Sequence, residues 1–211
     1  GTKETMWVVA NPEAASGGVE LLLNGKSLGK SATPVRAVFD RNGKVTGTEP
    51  EPGGFLYAFP DVEFSPGTLR AVGYADGKEA ASYELKTAGA PAAIKLTPYT
   101  APDGLKADGE DVAFFDVEVV DANGERCPTD EARVDFKLEG PAIWRGGYNS
   151  GITNSTNNTY LLTECGINRV AIRATREAGK ITLTATRDGL KSGTATVDSK
   201  AFAVEGGLAR R

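Results

Sequence analysis

Along most of the chain, apolar and polar residues alternate with a period of two. This is the pattern of strands that bury one face and wet the other. In "AFFDVEVV", Ala113, Phe115, Val117 and Val119 fall on one side, with Asp116 and Glu118 on the other. "RVDFKLE" sets Val134, Phe136 and Leu138 against Asp135, Lys137 and Glu139. "RVAIRAT" opposes Val170 and Ile172 to Arg169 and Arg173, and "KITLTAT" opposes Ile181, Leu183 and Ala185 to three threonines. Between such runs stand Asn-Gly pairs beginning at Asn24, Asn42 and Asn123, and Asp-Gly pairs beginning at Asp76, Asp103, Asp108 and Asp188. These dipeptides tolerate the positive φ angles of tight turns. No convincing helical stretch interrupts the pattern, so an all-β fold of two tandem immunoglobulin-like β-sandwich domains is predicted. The connector Gly89-Ala90-Pro91 divides residues 1–89 from residues 90–205, and residues 206–211 form a tail.

One segment departs from this regularity. "IWRGGYNSGITNSTNNTYLLTEC", Ile143 to Cys165, has strand-like ends and an irregular middle at about 146–158. Irregular connections this long usually carry function or disorder. Trp144, Tyr148 and Tyr160 offer flat apolar faces of the kind that stack on sugar rings. Arg145, Asn149, Asn154, Asn157 and Asn158 offer groups that hydrogen-bond hydroxyls. Three readings stay open: sugar contact, docking against another domain, or core aromatics with the asparagines and glycines making turns. The triplets at Asn154 and Asn157 match the N-glycosylation pattern and imply only surface exposure.

Composition narrows the chemistry. The 211 residues include no histidine, which excludes Ser-His-Asp and Cys-His nucleophile systems and histidine-containing zinc sites. Cys127 and Cys165 either pair as a disulfide outside the cytosol or are two buried thiols. Asp103, Asp108, Glu110 and Asp111 cluster in sequence but lack a recognisable calcium-loop spacing, and Asp-Gly turns account for two of them. No metal and no cofactor is expected. A net charge of −4 without clustered lysine or arginine argues against nucleic acid. No apolar run approaches the roughly 20 residues of a membrane-spanning helix, so no membrane insertion is expected. No signal peptide is visible, and the polar opening "GTKET" suits a mature segment or a piece of something longer. Trp7, in "MWVVA", is expected to pack on the sandwich or on a neighbouring domain.

Two stretches carry a family resemblance. "VELLLNGKSLGK" (Val19–Lys30) and "FSPGTLRAVGYADGKEAASYELKTAG" (Phe64–Gly89) resemble a C-terminal β-sandwich of bacterial glycoside hydrolase family 2 enzymes, especially β-galactosidases. "IKLTPYTAPDGLKADGEDVAFFDVEVVDANGERCPTDEARVDFKLEG" (Ile94–Gly140), completed by "ITLTATRDGLKSGTATV" (Ile181–Val197), resembles the final immunoglobulin-like domain of the same enzymes. It is similar, more loosely, to repeats of bacterial adhesins. The insert Ala10–Gly18 is longer than the family pattern, and Ser31–Phe59 matches it poorly. The resemblance places the catalytic glutamate pair on an upstream barrel that this chain has no room for. It therefore implies no catalytic residue here. The expected role is a non-catalytic accessory region of a periplasmic or extracellular β-galactosidase. Its expected partner is the upstream catalytic domain of the same chain, with carbohydrate as a second candidate. An independent carbohydrate-binding module and an adhesin-type stalk are the alternatives.

Overall fold

The computed structural model describes residues 2–147, 156–205 and 208–209. Among these there is no helix, hence none long and apolar enough to cross a membrane. The chain forms two compact units, Gly1–Thr87 and Ala88–Arg211. Thr87 belongs to the first because its N–H donates to Gly67 O (2.9 Å) and its Oγ1 accepts from Gly67 N (3.1 Å). Ala88 already packs against the second core, and Gly89 N donates to Asp121 Oδ2 at 2.7 Å.

The first unit has eight strands: β1 (Lys3–Val9), β2 (Val19–Leu23), β3 (Lys26–Ser31), β4 (Val35–Phe39), β5 (Val45–Pro50), β6 (Leu56–Glu63), β7 (Thr68–Ala75) and β8 (Lys78–Lys86). Four of them make an antiparallel sheet in the order β3-β2-β7-β8. β1 and β6 pair separately as a ribbon, and β4 and β5 form a hairpin that carries an Arg36–Glu49 ion pair at 2.5 Å. The core is small. Val19 and Leu21 of the sheet meet Tyr57 and Phe59 of the ribbon, with Met6, Val8, Leu69 and Ala71 around them. The insert Ala10–Gly18 contributes to this core. It folds back so that Ala15 is buried and its carbonyl accepts the Tyr57 hydroxyl (3.2 Å).

The second unit is a full sandwich. Its strands are β9 (Ala93–Tyr99), β10 (Leu105–Ala107), β11 (Val112–Val120), β12 (Arg133–Glu139), β13 (Ala142–Gly147), β14 (Tyr160–Leu162), β15 (Ile167–Ala174), β16 (Gly179–Thr186) and β17 (Gly193–Ala201). One sheet runs β10-β17-β16-β12-β14, the other β13-β15-β11-β9; all pairs are antiparallel except β10 with β17. The inward residues of the alternating strands fill the space between the sheets. Phe115, Val117, Val119, Val134, Ile172, Ile181 and Leu183 are all fully buried. Beyond them, residues 204–205 pair with 208–209 as a short ribbon.

The turn dipeptides act through two devices. Asn24-Gly25 and Asp76-Gly77 have positive φ at both residues, as two-residue hairpins require. Asn42-Gly43 and Asn123-Gly124 sit in longer turns organised by an aspartate two residues upstream. Asp40 Oδ1 accepts Asn42 N and Lys44 N (2.8 and 2.9 Å), and Asp121 Oδ1 accepts Asn123 N and Glu125 N at the same distances.

Candidate functional site

Among the described residues singled out between 143 and 165, Trp144 and Tyr160 lie in different sheets and share no surface. Trp144, on β13, turns its ring into the second core, where it lies 5.3 Å from Phe136 between centroids. Its indole N–H donates to Asn158 O at 2.7 Å. Tyr160 lies on β14, in the other sheet, and its ring is covered by the Arg133 guanidinium at 3.9 Å. Asn157 is exposed in a left-handed turn (φ 59°) and donates its N–H to Arg145 O (3.2 Å). Tyr148, Asn149 and Asn154 lie outside the described residues. The Trp144 ring therefore serves core packing with its indole N–H held by Asn158 O, while the Tyr160 ring carries Arg133 of the neighbouring strand.

Both cysteines are free. Cys127 is buried with Sγ 3.7 Å from Gly89 O, and burial pushes its thiol pKa up. Cys165 is exposed in a left-handed turn, where Arg126 donates to its carbonyl. The acidic group is engaged by its own loop. Asp108 Oδ1 accepts from Glu110 N and Asp111 N, Asp111 Oδ2 accepts from Lys106 N, and Asp103 pairs with Lys106 at 2.7 Å. These donors hold Asp103 and Asp108 below the usual carboxylate range.

A groove of about 580 Å³ does lie on the outer face of the β13-β15-β11-β9 sheet. Phe114 and Asp116 of β11, Asn168 and Arg169 of β15, Arg145 of β13 and Glu164 line it. Arg145 is outward on β13, between the inward Trp144 and the buried Gly146, where the β13–β15 register shifts. Asp116 and Arg169 are cross-strand partners, and their fork-to-carboxylate contact is bidentate (2.5 and 3.1 Å). Arg169 also lies over the Tyr99 ring at 5.4 Å, and Asp116 raises its already high pKa. The Asp116 carboxylate is thus held in an ion pair with Arg169. The lining of Phe114, Arg145 and Asn168 suits binding of a polar ring or chain. Of these lining residues the sequence singles out Arg145, whereas alternation assigned Asp116 and Arg169 to a solvated strand face and so passed over them. The signal that sequence alternation did carry was Phe114, an apolar residue at a polar position of "AFFDVEVV", and it is 44% exposed.

Comparison with known proteins places this architecture. Residues 94–196 match the family model of the glycoside hydrolase family 2 C-terminal domain 5, and residues 1–81 match a domain of unknown function (DUF4982). A β-glucuronidase of Formosa agariphila is 43% identical over 208 residues, 99% of this chain but 19% of that protein. A β-galactosidase of Bacteroides ovatus is 34% identical over 157 residues, 71% of this chain and 18% of its own length. The solved structure of a family 2 β-glucuronidase superposes with a TM-score of 0.80 at 42% identity, covering 99% of this chain and 20% of that one. The chain spans about a fifth of the length of these relatives. It belongs to the C-terminal region of glycoside hydrolase family 2, with residues 94–196 as the family's C-terminal domain 5.

Proposed function

We propose that this chain is the non-catalytic accessory region of a β-glucuronidase- or β-galactosidase-type glycosidase, and that it supports and orients the catalytic portion of the same polypeptide. One observation carries the reading: nearly the whole chain aligns with about a fifth of a glycosidase several times its length. The absence of histidine and the pairing of Asp116 with Arg169 agree with it. The test is hydrolysis of nitrophenyl β-glucuronide and nitrophenyl β-galactoside. The 211-residue chain is expected to turn over neither, while the full polypeptide turns over one of them. Turnover by the chain alone, lost on replacing one of its own Asp or Glu residues, overturns the proposal.

The groove supports a second reading, in which the second unit also holds carbohydrate beside the catalytic portion. Arg145 lines it with a donor suited to hydroxyl or carboxylate groups of a sugar, and Phe114 offers an apolar face. Isothermal titration with glucuronate- and galactose-containing oligosaccharides tests it. Heats of binding abolished by Phe114→Ala and Arg145→Ala support the reading, and no heat at millimolar sugar ends it. Placement in the periplasm or outside the cell belongs to the same proposal and is tested by fractionating cells that express the full polypeptide.

A further inference from the structure

The two units handle apolar residues differently. Among the described residues, the second unit buries eighteen hydrophobic side chains and exposes three large ones, Tyr99, Phe114 and Ile143. The first buries six and exposes nine. Three of the nine, Trp7, Val9 and Phe55, lie on or beside the β1–β6 ribbon. β1 contains the run Met6-Trp7-Val8-Val9, and β6 continues from Phe55 through Leu56-Tyr57-Ala58-Phe59. The register pairs Met6 with Phe59 and Val8 with Tyr57 on the core side. It pairs Trp7 with Ala58 and Val9 with Leu56 on the opposite side. That outer side is apolar too, and Trp7, Val9 and the adjoining Phe55 are 37%, 70% and 58% exposed.

A strand that faces water on one side alternates; a strand with apolar residues on both sides is one covered on both sides. The second unit supplies the control within the same chain. Its β16 sets Thr182 and Thr184 outward, and its β11 sets Asp116 and Glu118 outward. The β1–β6 ribbon therefore has the composition of a middle layer, with Trp7 and Val9 of its outer side left open and Leu56 and Ala58 half-buried.

We infer that the outer face of the β1–β6 ribbon, centred on Trp7, Val9 and Leu56, is the docking surface for the catalytic portion of the same polypeptide. The inference rests on the accessory-region reading above. Size decides between occupants. Five side chains make a patch of a few hundred Å², short of the roughly 800 Å² per partner that a stable dimer of free copies needs. A tethered partner needs less, because the linkage holds it at an effective concentration of order millimolar. The relatives carry about four-fifths of their length outside the matched region, so a tethered partner of ample size exists in them. The second unit, also tethered, presents among its described residues only the cross-strand pair Tyr99 and Phe114, with Asp116 and Arg169 beside it, and Ile143 across from Arg173.

Photo-crosslinking in the full-length polypeptide tests this, with benzoylphenylalanine in place of Val9. The Val9 side chain lies outside the core of its own unit, so the replacement leaves that core intact. After irradiation and digestion, the peptide holding residue 9 is expected on peptides of the catalytic portion, with a yield independent of protein concentration. The same probe placed at Glu84, an exposed polar position, is expected to give no such product. Crosslinks to residues 88–211, a concentration-dependent crosslink to a second copy, or no crosslink at all each overturn the inference. Glycosidase activity is measured on the same sample. An active enzyme with a misplaced or absent crosslink defeats the docking surface alone, whereas a full polypeptide that hydrolyses neither glycoside defeats the accessory-region reading itself.

Discussion

At the scale of single residues, the first unit is locked by two motifs that lie far apart in sequence. Asn24, in the first hairpin turn, accepts the N–H of Thr68 on Oδ1 (2.8 Å) and donates from Nδ2 to Pro66 O (3.1 Å). Gly67 lies between those partners at φ 137°, and a Cβ there would fall 1.9 Å from Asn24 Oδ1. The Asn-Gly-Lys and Pro-Gly stretches that carried the family resemblance are thus one physical clamp. Asn24→Ala is expected to lower stability by about 1 kcal/mol, the net worth of such hydrogen bonds. Gly67→Ala is expected to cost more, since it combines a clash with an unfavourable φ. In the Asn24→Ala background its cost is expected to shrink, because the clashing atoms are gone. Urea unfolding of the four proteins of this cycle measures the coupling, and strict additivity contradicts the clamp. The cysteines give a second residue-scale expectation. Cys165 is exposed and Cys127 is buried, so one thiol per chain is expected to react with a small alkylating reagent under native conditions and two in denaturant.

At the scale of elements, the second unit depends on a charged tie beneath its alternating strands. Asp130 is buried in the loop before β12 and is held by Arg187 Nη1 and Nη2 (2.6 and 2.8 Å) and by Thr163 Oγ1 (2.5 Å). Arg187 follows β16 and also donates to Arg133 O, so the tie joins three connections around one sheet edge. Arg187→Ala leaves the aspartate buried without its partner and is expected to destabilise this unit by about 3 kcal/mol. Arg187 keeps the Asp130 carboxyl below the ordinary range, and the Gly89 N–H does the same for Asp121. A carboxyl lowered in the folded state stabilises it above the unfolded value of about 3.9 and loses that contribution as pH falls through the folded value. Denaturant midpoints of the second unit are therefore expected to be level near neutrality and to fall below about pH 4. Asp130→Asn is expected to reduce that slope. The strands themselves were legible in sequence, because a period of two is imposed by geometry and Phe115, Val134 and Ile181 follow it. The tie was not, because Asp130, Thr163 and Arg187 lie far apart in sequence and meet only once the sheets form. The candidate groove was hidden for a related reason: Arg145, Asp116, Asn168 and Arg169 come together only once β13, β15 and β11 pair.

At the scale of the molecule, the uneven core becomes a statement about folding. A compact unit of under 90 residues is marginal when its core is thin, and the first unit rests on Val19, Leu21, Tyr57 and Phe59 with few buried neighbours. Its β8 adds to the shortfall. Tyr83 and Leu85 lie across from Ala71 and Leu69 on the core side of the sheet, yet both stay exposed because the ribbon does not reach over them. The second unit has its sandwich closed on both sheets and needs nothing further. Scanning calorimetry of the 211-residue chain is therefore expected to show two transitions rather than one. The lower belongs to residues 1–87, and the upper coincides with that of a separate polypeptide of residues 88–205. In the full-length enzyme the lower transition is expected to move up to that of the catalytic portion, since a docked face adds its binding free energy to the stability of the unit that carries it. Replacing Val9 by Asp in that enzyme is expected to return the transition towards its value in the isolated chain. One cooperative transition in the 211-residue chain, or a first unit equally stable with and without the catalytic portion, would show that the thin core suffices and that the apolar ribbon is no interface.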